Sequence, residues 1–273
     1  MSAASKDTVS CIMLTGLPGR KKIAQVAVRA FLDQDYPHKE LLIVNTSRNE
    51  PWEYDLFYKS IAEQHPQLPA GVTEISLPRP DKERVTMGHL RNLAMAVATG
   101  DWMMVWDDDD WSHPQRLSAL MERRKPGRAV VPTCHVRYHF PTNTAYCWST
   151  KPRWNQSIHM MMFPRSEYRY PELNVGEDTY FLEKLSDRMD FWDNRKFAHH
   201  YIYMCRLDNL SAMNNHQNKQ SRFLGRYDTP EWRGCWCREP YEPGYMTEEQ
   251  TEYLKQILRR NYDTRIDGRP WPR

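Results

Sequence analysis

Four consecutive aspartates, Asp107–Asp110, follow directly after the apolar run Trp102–Trp106. Carboxylates this close together repel one another unless a positive group binds among them. Mg²⁺ and Mn²⁺ prefer one or two carboxylates together with the phosphate oxygens of a ligand. This run, called the acidic box below, therefore indicates a site for a divalent cation and a phosphate-bearing ligand. A solvated acidic loop is the alternative that the run alone leaves open.

The segments around the acidic box show where it lies in the fold. The stretch Gly88–Thr99 has a helical pattern that Gly100 ends, Trp102–Trp106 reads as a strand, and another helix is predicted from about Pro114. The acidic box thus occupies a strand-to-helix junction at the carboxyl end of a strand. Open α/β sheets bind their ligands at this edge.

A second pair of acids, Glu177-Asp178, comes directly before a predicted amphipathic helix. A carboxylate within hydrogen-bond reach of a hydroxyl can remove its proton during a reaction. Acids in the first turn also stabilise a helix through its capping groups and its dipole. The residues alone favour neither interpretation.

The hydrophobic pattern of the first half predicts a βαβ unit, with strands at Val9–Leu14 and Glu40–Val44 and a helix at Lys21–Leu32. A helix at 54–63 and a strand at 72–77 repeat the order. We therefore expect a nucleotide-binding type of α/β fold, with a mostly parallel sheet flanked by helices. Beyond residue 126, the predicted elements are strands at Ala129–Thr133, Val136–Phe140, Ile158–Phe163 and Phe197–Cys205 and a last helix from Thr247.

Composition is that of a soluble globular protein, with 273 residues, 40% hydrophobic and 27% charged. No apolar run reaches the roughly 20 residues that span a bilayer, and Met1–Asp7 lacks the apolar core of a signal peptide. Six scattered cysteines suggest reduced thiols. The sequence therefore predicts a cytoplasmic protein without a membrane span.

Charge is distributed unevenly along the chain, although the net charge is only +3. Between residues 123 and 169, nine Lys and Arg residues stand against a single acid, Glu167, and aromatic residues are interleaved with them. Such a pattern favours an anionic partner with faces that can stack, nucleic acid above all. A solvated rim over buried aromatic residues is the equally weighted alternative.

Taken in order, the motifs resemble those of the family 2 glycosyltransferases, which have the GT-A fold. The similarity extends over roughly residues 9–211. The matching positions are Thr15-Gly16-Leu17, Gln34–Pro37, Asn45-Thr46-Ser47, Gly88, Arg91-Asn92, Gly100, the acidic box, Glu177-Asp178, Tyr203, Arg206, Asn209 and Ser211.

The resemblance implies a metal-dependent, inverting enzyme that moves a sugar from a nucleotide-diphosphate donor to an acceptor hydroxyl. Mn²⁺ or Mg²⁺ would be held by Asp109, together with Asp107 at the ribose and sugar side, and His216 is a further candidate ligand. Asp178 would be the catalytic base, with Glu177 orienting the acceptor or its loop.

The donor is a UDP-sugar by default, although Asn45 stands where the family has an aspartate that meets the uracil ring. Thr15 and Asn45 would contact the nucleoside, and Asp108 is placed with the donor-binding residues. Arg91 would lie near the phosphates or buttress the acidic box. A segment that closes over the donor would carry Arg206, Asn209 and Ser211.

These expectations divide the chain into a catalytic domain, 1–211, and a C-terminal extension, 212–273. The donor half covers about 1–125 and the acceptor half about 126–211, which includes the basic, aromatic segment. The preferred acceptor is a hydroxymethylated base in bacteriophage DNA, in the host cytoplasm, contacted by Trp148, Lys151, Arg153 and Trp154.

The sequence is also compatible with other functions. The acceptor could instead be a cell-surface glycan or a lipid-linked saccharide. Paired carboxylates also serve nucleotidyl transfer, and a nucleic-acid-binding module with a decayed transferase site is a further alternative.

Overall fold

A computed structural model describes residues 7–16, 20–46, 72–76, 85–139, 144–149 and 158–205, together with 248–249, 252–254 and 256–257. The helix predicted at 54–63 lies outside these ranges. The strands of the described part are β1 (Val9–Thr15), β2 (Lys39–Asn45), β3 (Val72–Ser76), β4 (Trp102–Val105), β5 (Trp111–Ser112), β6 (Ala129–Pro132), β7 (Cys134–His139), β8 (Thr144–Ser149), β9 (Met162–Pro164), β10 (Met189–Trp192) and β11 (Tyr201–Cys205). The helices are α1 (Lys21–Leu32), α2 (Met87–Val97), α3 (Arg116–Arg123) and α4 (Glu177–Leu185).

The chain divides into two compact units, one of residues 1–132 and 152–192 and the other of 133–151 and 193–273. The first contains a seven-stranded sheet in the order β10-β6-β9-β4-β1-β2-β3. All neighbouring pairs are parallel except those that involve β9. In the second unit, β11 pairs with β7 in parallel and β7 pairs with β8 in antiparallel orientation. The prediction of a mostly parallel α/β sheet is confirmed.

Strands β1 and β2 are both interior strands of the larger sheet. Each contains a continuous apolar run, Cys11–Leu14 in β1 and Leu41–Val44 in β2, as expected where helices cover both faces. Ile12, Leu90, Phe163 and Phe181 belong to one buried cluster that joins the sheet to α2 and α4. The same cluster positions the two helices relative to the strand ends where the predicted site lies.

Two glycines permit close backbone approaches in this unit. A Cβ at Gly100 would lie 2.5 Å from the Ser10 side-chain oxygen, and one at Gly88 would lie 1.8 Å from the Pro171 carbonyl oxygen. The Gly88 amide also donates to the Leu173 carbonyl at 3.1 Å. The beginning of α2 therefore lies against the segment that leads into α4.

Two predicted strands are partly wrong. Residues Ile158–Met160 form a 3₁₀ turn, with a strand only at β9, and Arg195–His200 form another before β11. The first run is apolar and buried except at His159, and such a short apolar run does not distinguish a strand from a buried helical turn. Helix α2 also ends at Val97, two residues earlier than expected. Strands β5, β8 and β10 were not predicted.

Candidate functional site

The predicted site residues of the first half meet at one edge of the sheet. Thr15 and Asn45 are the last residues of β1 and β2 and are paired in register. Strand β4 lies on the other side of β1, and the acidic box follows its end. Because these strands are parallel, their carboxyl ends lie side by side, as expected for a ligand site in an open α/β sheet.

Asp108 is bound from two sides by residues that follow β1 or end it. The Thr15 hydroxyl donates to Asp108 Oδ2 at 2.8 Å, and Arg20 Nη1 donates to Asp108 Oδ1 at 2.9 Å. The same Arg20 nitrogen donates to Asp109 Oδ2 at 2.8 Å. Arg20 and Asp108 are both buried, so a guanidinium group bridges two neighbouring carboxylates inside the site.

The surroundings of Asp107 and Asp108 in the acidic box disfavour the charged form of both carboxyls. Burial, reinforced by Asp109, raises the pKa of Asp107 to about 7 and that of Asp108 to about 6. Arg91 and Arg116 oppose the rise at Asp107, and Arg20 with the Thr15 hydroxyl opposes it at Asp108. Carboxyls whose pKa values are raised toward neutrality are typical of functional sites, where a bound cation would restore the ionised form.

The 3₁₀ turn at Ile158–Met160 brings a histidine to the acidic box. His159 Nδ1 lies 3.8 Å from Asp107 Oδ2. The turn is held by Arg116 of α3, which donates to the His159 carbonyl and, at 2.7 Å, to the Ser112 hydroxyl. His159 is thus an additional polar side chain beside the carboxylate.

A buried ion pair connects α2 with the beginning of α4. Arg91 Nη1 donates to Glu177 Oε1, and both side chains are about nine-tenths buried. The Arg91 guanidinium also lies over the Tyr170 ring, 5.3 Å from its centroid, and Tyr170 stacks on Phe181 at 4.1 Å. Burial alone would lower the pKa of Arg91, but Tyr170, Glu177, Asp107 and Asp178 outweigh it and raise that pKa.

The side chain of Asn92 holds the same segment from the neighbouring position of α2. Asn92 Nδ2 donates to the Tyr170 carbonyl, and Asn92 Oδ1 accepts from the Tyr170 amide, both at 2.9 Å. The Arg-Asn pair of α2 therefore fixes the chain just before α4 through one side chain each.

Asp178 lies in the first turn of α4, after Gly176, whose φ of 83° is left-handed. Its carboxylate is half-buried, and Oδ1 accepts from the Thr179 amide at 2.8 Å. The helix dipole favours a negative charge at this position. Asp178 therefore combines a fixed backbone position with access from outside, while its neighbour Glu177 is buried.

The profile of Glycosyl transferase family 2 matches residues 19–187, which is more than half of the chain. The chain belongs to this family. The resemblance seen in the sequence is confirmed at the level of the family, the GT-A-type fold and the enzyme class, so the protein is a nucleotide-sugar-dependent glycosyltransferase. No curated protein sequence matches the chain.

Solved structures show the same fold at low sequence identity. TarS 1–349 of S. aureus in complex with UDP-GlcNAc is 13% identical, with a TM-score of 0.55 over 96% of this chain and 76% of the other. The mannosyltransferase PcManGT from Pyrobaculum calidifontis, in complex with GDP-Man and Mn²⁺, is 16% identical, with a TM-score of 0.53 over 77% of this chain and 60% of the other.

The oxygen-donor side chains of the family 2 site suit a hard divalent cation. The acidic box offers carboxylate oxygens, and burial together with the neighbouring Asp109 raises the pKa values of Asp107 and Asp108, so a bound cation would favour their ionised forms. Within the described ranges, no three His, Cys, Asp or Glu side chains converge to form a metal site. Mg²⁺ and Mn²⁺ do not require one, since they bind through one or two carboxylates plus substrate phosphates.

The structure thus brings together a subset of the predicted site residues: Thr15, Asn45, Asp107, Asp108 and Asp109 at the strand ends, and Arg91, Glu177 and Asp178 at the two helices. Trp148 lies in β8, and its side chain is not described. The predicted residues that lie outside the described ranges are Lys151, Arg153, Trp154, Arg206, Asn209, Ser211 and His216.

Sequence reasoning missed Arg20 and His159. Arg20 stands in the run Gly19-Arg20-Lys21-Lys22, which resembles part of a phosphate-binding loop, and this was the available signal. His159 had no such signal in the sequence, because its position depends on a 3₁₀ turn 52 residues beyond Asp107.

No helix among the described residues is long and apolar enough to cross a membrane.

Proposed function

We propose that the protein transfers a sugar from a nucleotide-diphosphate donor to an acceptor hydroxyl with divalent-metal assistance and inversion at the anomeric carbon. The supporting observation is the buried Arg91 guanidinium, which pairs with Glu177 and experiences the charges of both Asp107 and Asp178. The acidic box and the proposed base therefore flank one polar centre, which is the arrangement that a single displacement requires.

Asp109 and Asp107 would hold Mn²⁺ or Mg²⁺. When bound, the cation stabilises negative charge on the leaving diphosphate. Asp108 is engaged by Thr15 and Arg20, which favours a role in ordering the acidic box on the donor side. His216 remains a proposed further ligand.

Asp178 would remove the proton of the acceptor hydroxyl as it attacks. A positioned carboxylate typically contributes a factor of about 10²–10⁴ to the rate of such a step. Because the base activates the acceptor directly, the new bond forms on the face opposite the leaving group, and the configuration inverts.

Thr15 and Asn45 would contact the nucleoside of the donor, at the paired ends of β1 and β2. UDP is the default nucleotide. Asn45 can donate as well as accept hydrogen bonds, so its amide suits more than one base. Arg206, Asn209 and Ser211 are proposed to lie on a segment that closes over the donor.

The acceptor is proposed to be anionic, with a hydroxymethylated base of bacteriophage DNA as the first candidate. The excess of positive charge between residues 123 and 169 supports this choice. Trp148, Lys151, Arg153 and Trp154 are the proposed contacts, and the base would have to leave the duplex stack to reach Asp178.

A thermal-shift experiment tests the donor site directly. The purified protein is heated with UDP, GDP, CDP or TDP, each with and without Mn²⁺, alongside Asp109→Ala. Asp187→Ala is the matched control, because Asp187 is an exposed acid beyond the end of α4. Stabilisation by one diphosphate that needs Mn²⁺ and disappears only in Asp109→Ala supports the proposal, whereas no stabilisation by any nucleotide refutes it.

A further inference from the structure

We infer that Arg20 is a resident cation of the acidic box, which competes with the divalent metal at Asp109 and becomes a ligand of the donor diphosphate when the donor binds. This inference rests on the proposed metal and donor site. It adds that the metal binds weakly by itself and tightly only together with the nucleotide.

The contacts of Arg20 with Asp108 and Asp109 support competition between Arg20 and the metal. A single Arg20 nitrogen lies 2.9 Å from Asp108 Oδ1 and 2.8 Å from Asp109 Oδ2. The side chains are 7% exposed for Arg20 and Asp108 and 13% for Asp109. A cation that reaches Asp109 must therefore approach a carboxylate of which one oxygen, Oδ2, is already contacted by a buried guanidinium.

Repulsion between Arg20 and a metal at Asp109 should weaken the binding of metal alone. A divalent cation bound to Asp109 would lie close to the guanidinium in a water-poor site, where charges of the same sign repel strongly. The Thr15 hydroxyl holds the other oxygen of Asp108, so Asp108 remains a fixed anchor for Arg20. Binding of the metal alone thus either displaces Arg20 from Asp109 or is weakened by it.

A nucleoside diphosphate reverses this balance. Its negative charge attracts both cations, and a guanidinium is well suited to phosphate oxygens because its donors form a planar fork. Arg20 can exchange the Asp109 contact for a phosphate contact while Asp108 still holds it. By thermodynamic linkage, the nucleotide then raises the affinity for metal, and the metal raises the affinity for nucleotide by the same factor.

The decisive experiment measures free Mn²⁺ by electron paramagnetic resonance during titration of the protein, with and without UDP or GDP. In the unaltered protein, the nucleotide should tighten Mn²⁺ binding by about tenfold or more. In Arg20→Ala, Mn²⁺ alone should bind about tenfold tighter than in the unaltered protein, and the tightening by nucleotide should fall to about threefold or less.

Two further variants keep the test decisive. Arg29→Ala removes a positive charge near the other end of α1 and should leave both Mn²⁺ affinities unchanged. Arg20→Ala combined with Asp108→Asn preserves the local net charge and avoids an unpaired buried carboxylate, so it serves if the single variant does not fold. It should still bind Mn²⁺ alone more tightly than the unaltered protein.

The outcomes distinguish failure of the inference about Arg20 from failure of the proposed function. If the unaltered protein binds Mn²⁺ together with UDP or GDP but Arg20→Ala changes neither affinity, the inference is wrong and the proposed function stands. If the double variant does not exceed the unaltered protein, direct competition at Asp109 is wrong. If neither nucleotide affects Mn²⁺ binding in the unaltered protein, the inference is wrong for these donors, and the proposed function falls with it only if no nucleotide stabilises the protein in the thermal-shift experiment.

Discussion

At the scale of single residues, the two acids that open α4 have different surroundings. Glu177 is buried in an ion pair with Arg91, whereas Asp178 is half-buried and, among the described residues, accepts its hydrogen bonds from Thr179. A buried, paired carboxylate is poorly placed to accept a proton from an acceptor. The difference favours the proposed base role for Asp178 and a positioning role for Glu177.

Asp178→Asn should therefore lower kcat by about 10²–10⁴-fold while leaving Mn²⁺-dependent stabilisation by the nucleotide unchanged, since the donor site is intact. Rates are measured with saturating donor and acceptor, and nucleotide binding by thermal shift. Glu183→Gln, an exposed change on the same helix, should keep the normal rate. A kcat of Asp178→Asn within a factor of about three of normal would remove Asp178 from the base role.

The acidic box predicts a pH dependence of metal binding. The pKa values of Asp107 and Asp108 are raised to about 7 and about 6, so the folded protein takes up protons there as the pH falls from 8 to 6. Protons and Mn²⁺ compete for the Asp107 oxygens, and a protonated Asp108 attracts a nearby cation less than its charged form does. The affinity for Mn²⁺ alone should therefore fall over this range. Without metal, the same raised pKa values reduce the free energy of unfolding as the pH rises from about 4 to about 7.

Isothermal titration of Mn²⁺ into the protein at pH 6, 7 and 8 checks this expectation. Nucleotide is omitted because its phosphate ionises in the same range. His159→Gln is the control for the imidazole beside Asp107 and should retain the pH dependence. If that variant loses it, the histidine and not the carboxyls titrates, and the prediction is wrong.

At the scale of elements, the site depends on how α2 and α4 are joined. Arg91 and Glu177 are 86 residues apart in the chain, yet their side chains are only 10% and 8% exposed. Breaking a buried ion pair leaves one charge unpaired in a poorly solvated position, which costs more than the pair itself contributes. The pair therefore fixes the beginning of α4, and with it Asp178, relative to the acidic box.

Arg91→Met and Glu177→Leu should each lower the free energy of unfolding by about 3–5 kcal/mol. The double variant should lose clearly less than the sum, because no charge is left unpaired. Urea denaturation of the four proteins measures the cycle. Lys125→Ala, which breaks the exposed Lys125–Asp190 pair, should change stability by no more than about 1 kcal/mol; additive losses in the main cycle would contradict the coupling.

The same pair shows what a sequence can and cannot predict here. Strands β1, β2 and β4 and helices α1 and α4 could be predicted because the spacing of their apolar residues, and the turn-forming residues that end them, are visible in the sequence. The edge position of Thr15, Asn45 and the acidic box followed from parallel order. Contacts between distant segments, such as Arg91 with Glu177 or Arg20 with Asp108, depend on tertiary packing. Local sequence patterns do not predict such contacts.

At the scale of the whole molecule, the excess of positive charge between residues 123 and 169 is partly used inside the protein. Arg124 pairs with Asp7 at 3.1 Å, and Lys125 pairs with Asp190 at 2.9 Å. Arg137 lies over the Tyr203 ring, 5.1 Å from its centroid. These described members therefore offer an anionic acceptor less charge than the sequence count suggests. Lys151 and Arg153, the basic residues proposed to contact DNA, lie outside the described ranges.

Salt dependence separates the acceptor classes. Each phosphate contact made by a Lys or Arg contributes about −0.9 to the slope of log affinity for duplex DNA against log salt. If Lys151 and Arg153 bind DNA phosphates, changing both to Gln should make that slope about two units shallower. The corresponding change of Arg124 and Lys125 should alter it little, because their charges already have partners.

The measurement is the KM for hydroxymethylated duplex DNA between about 50 and 200 mM salt, with saturating donor, in the range where such contacts lose most affinity. A neutral saccharide has no counterions to release on binding, so its KM should be nearly constant over the same range. A constant KM for DNA, or an unchanged slope in the Lys151 and Arg153 variant, would contradict the DNA contact and favour a glycan acceptor. The result depends only on charge at the acceptor, so it remains interpretable whichever nucleotide the donor carries.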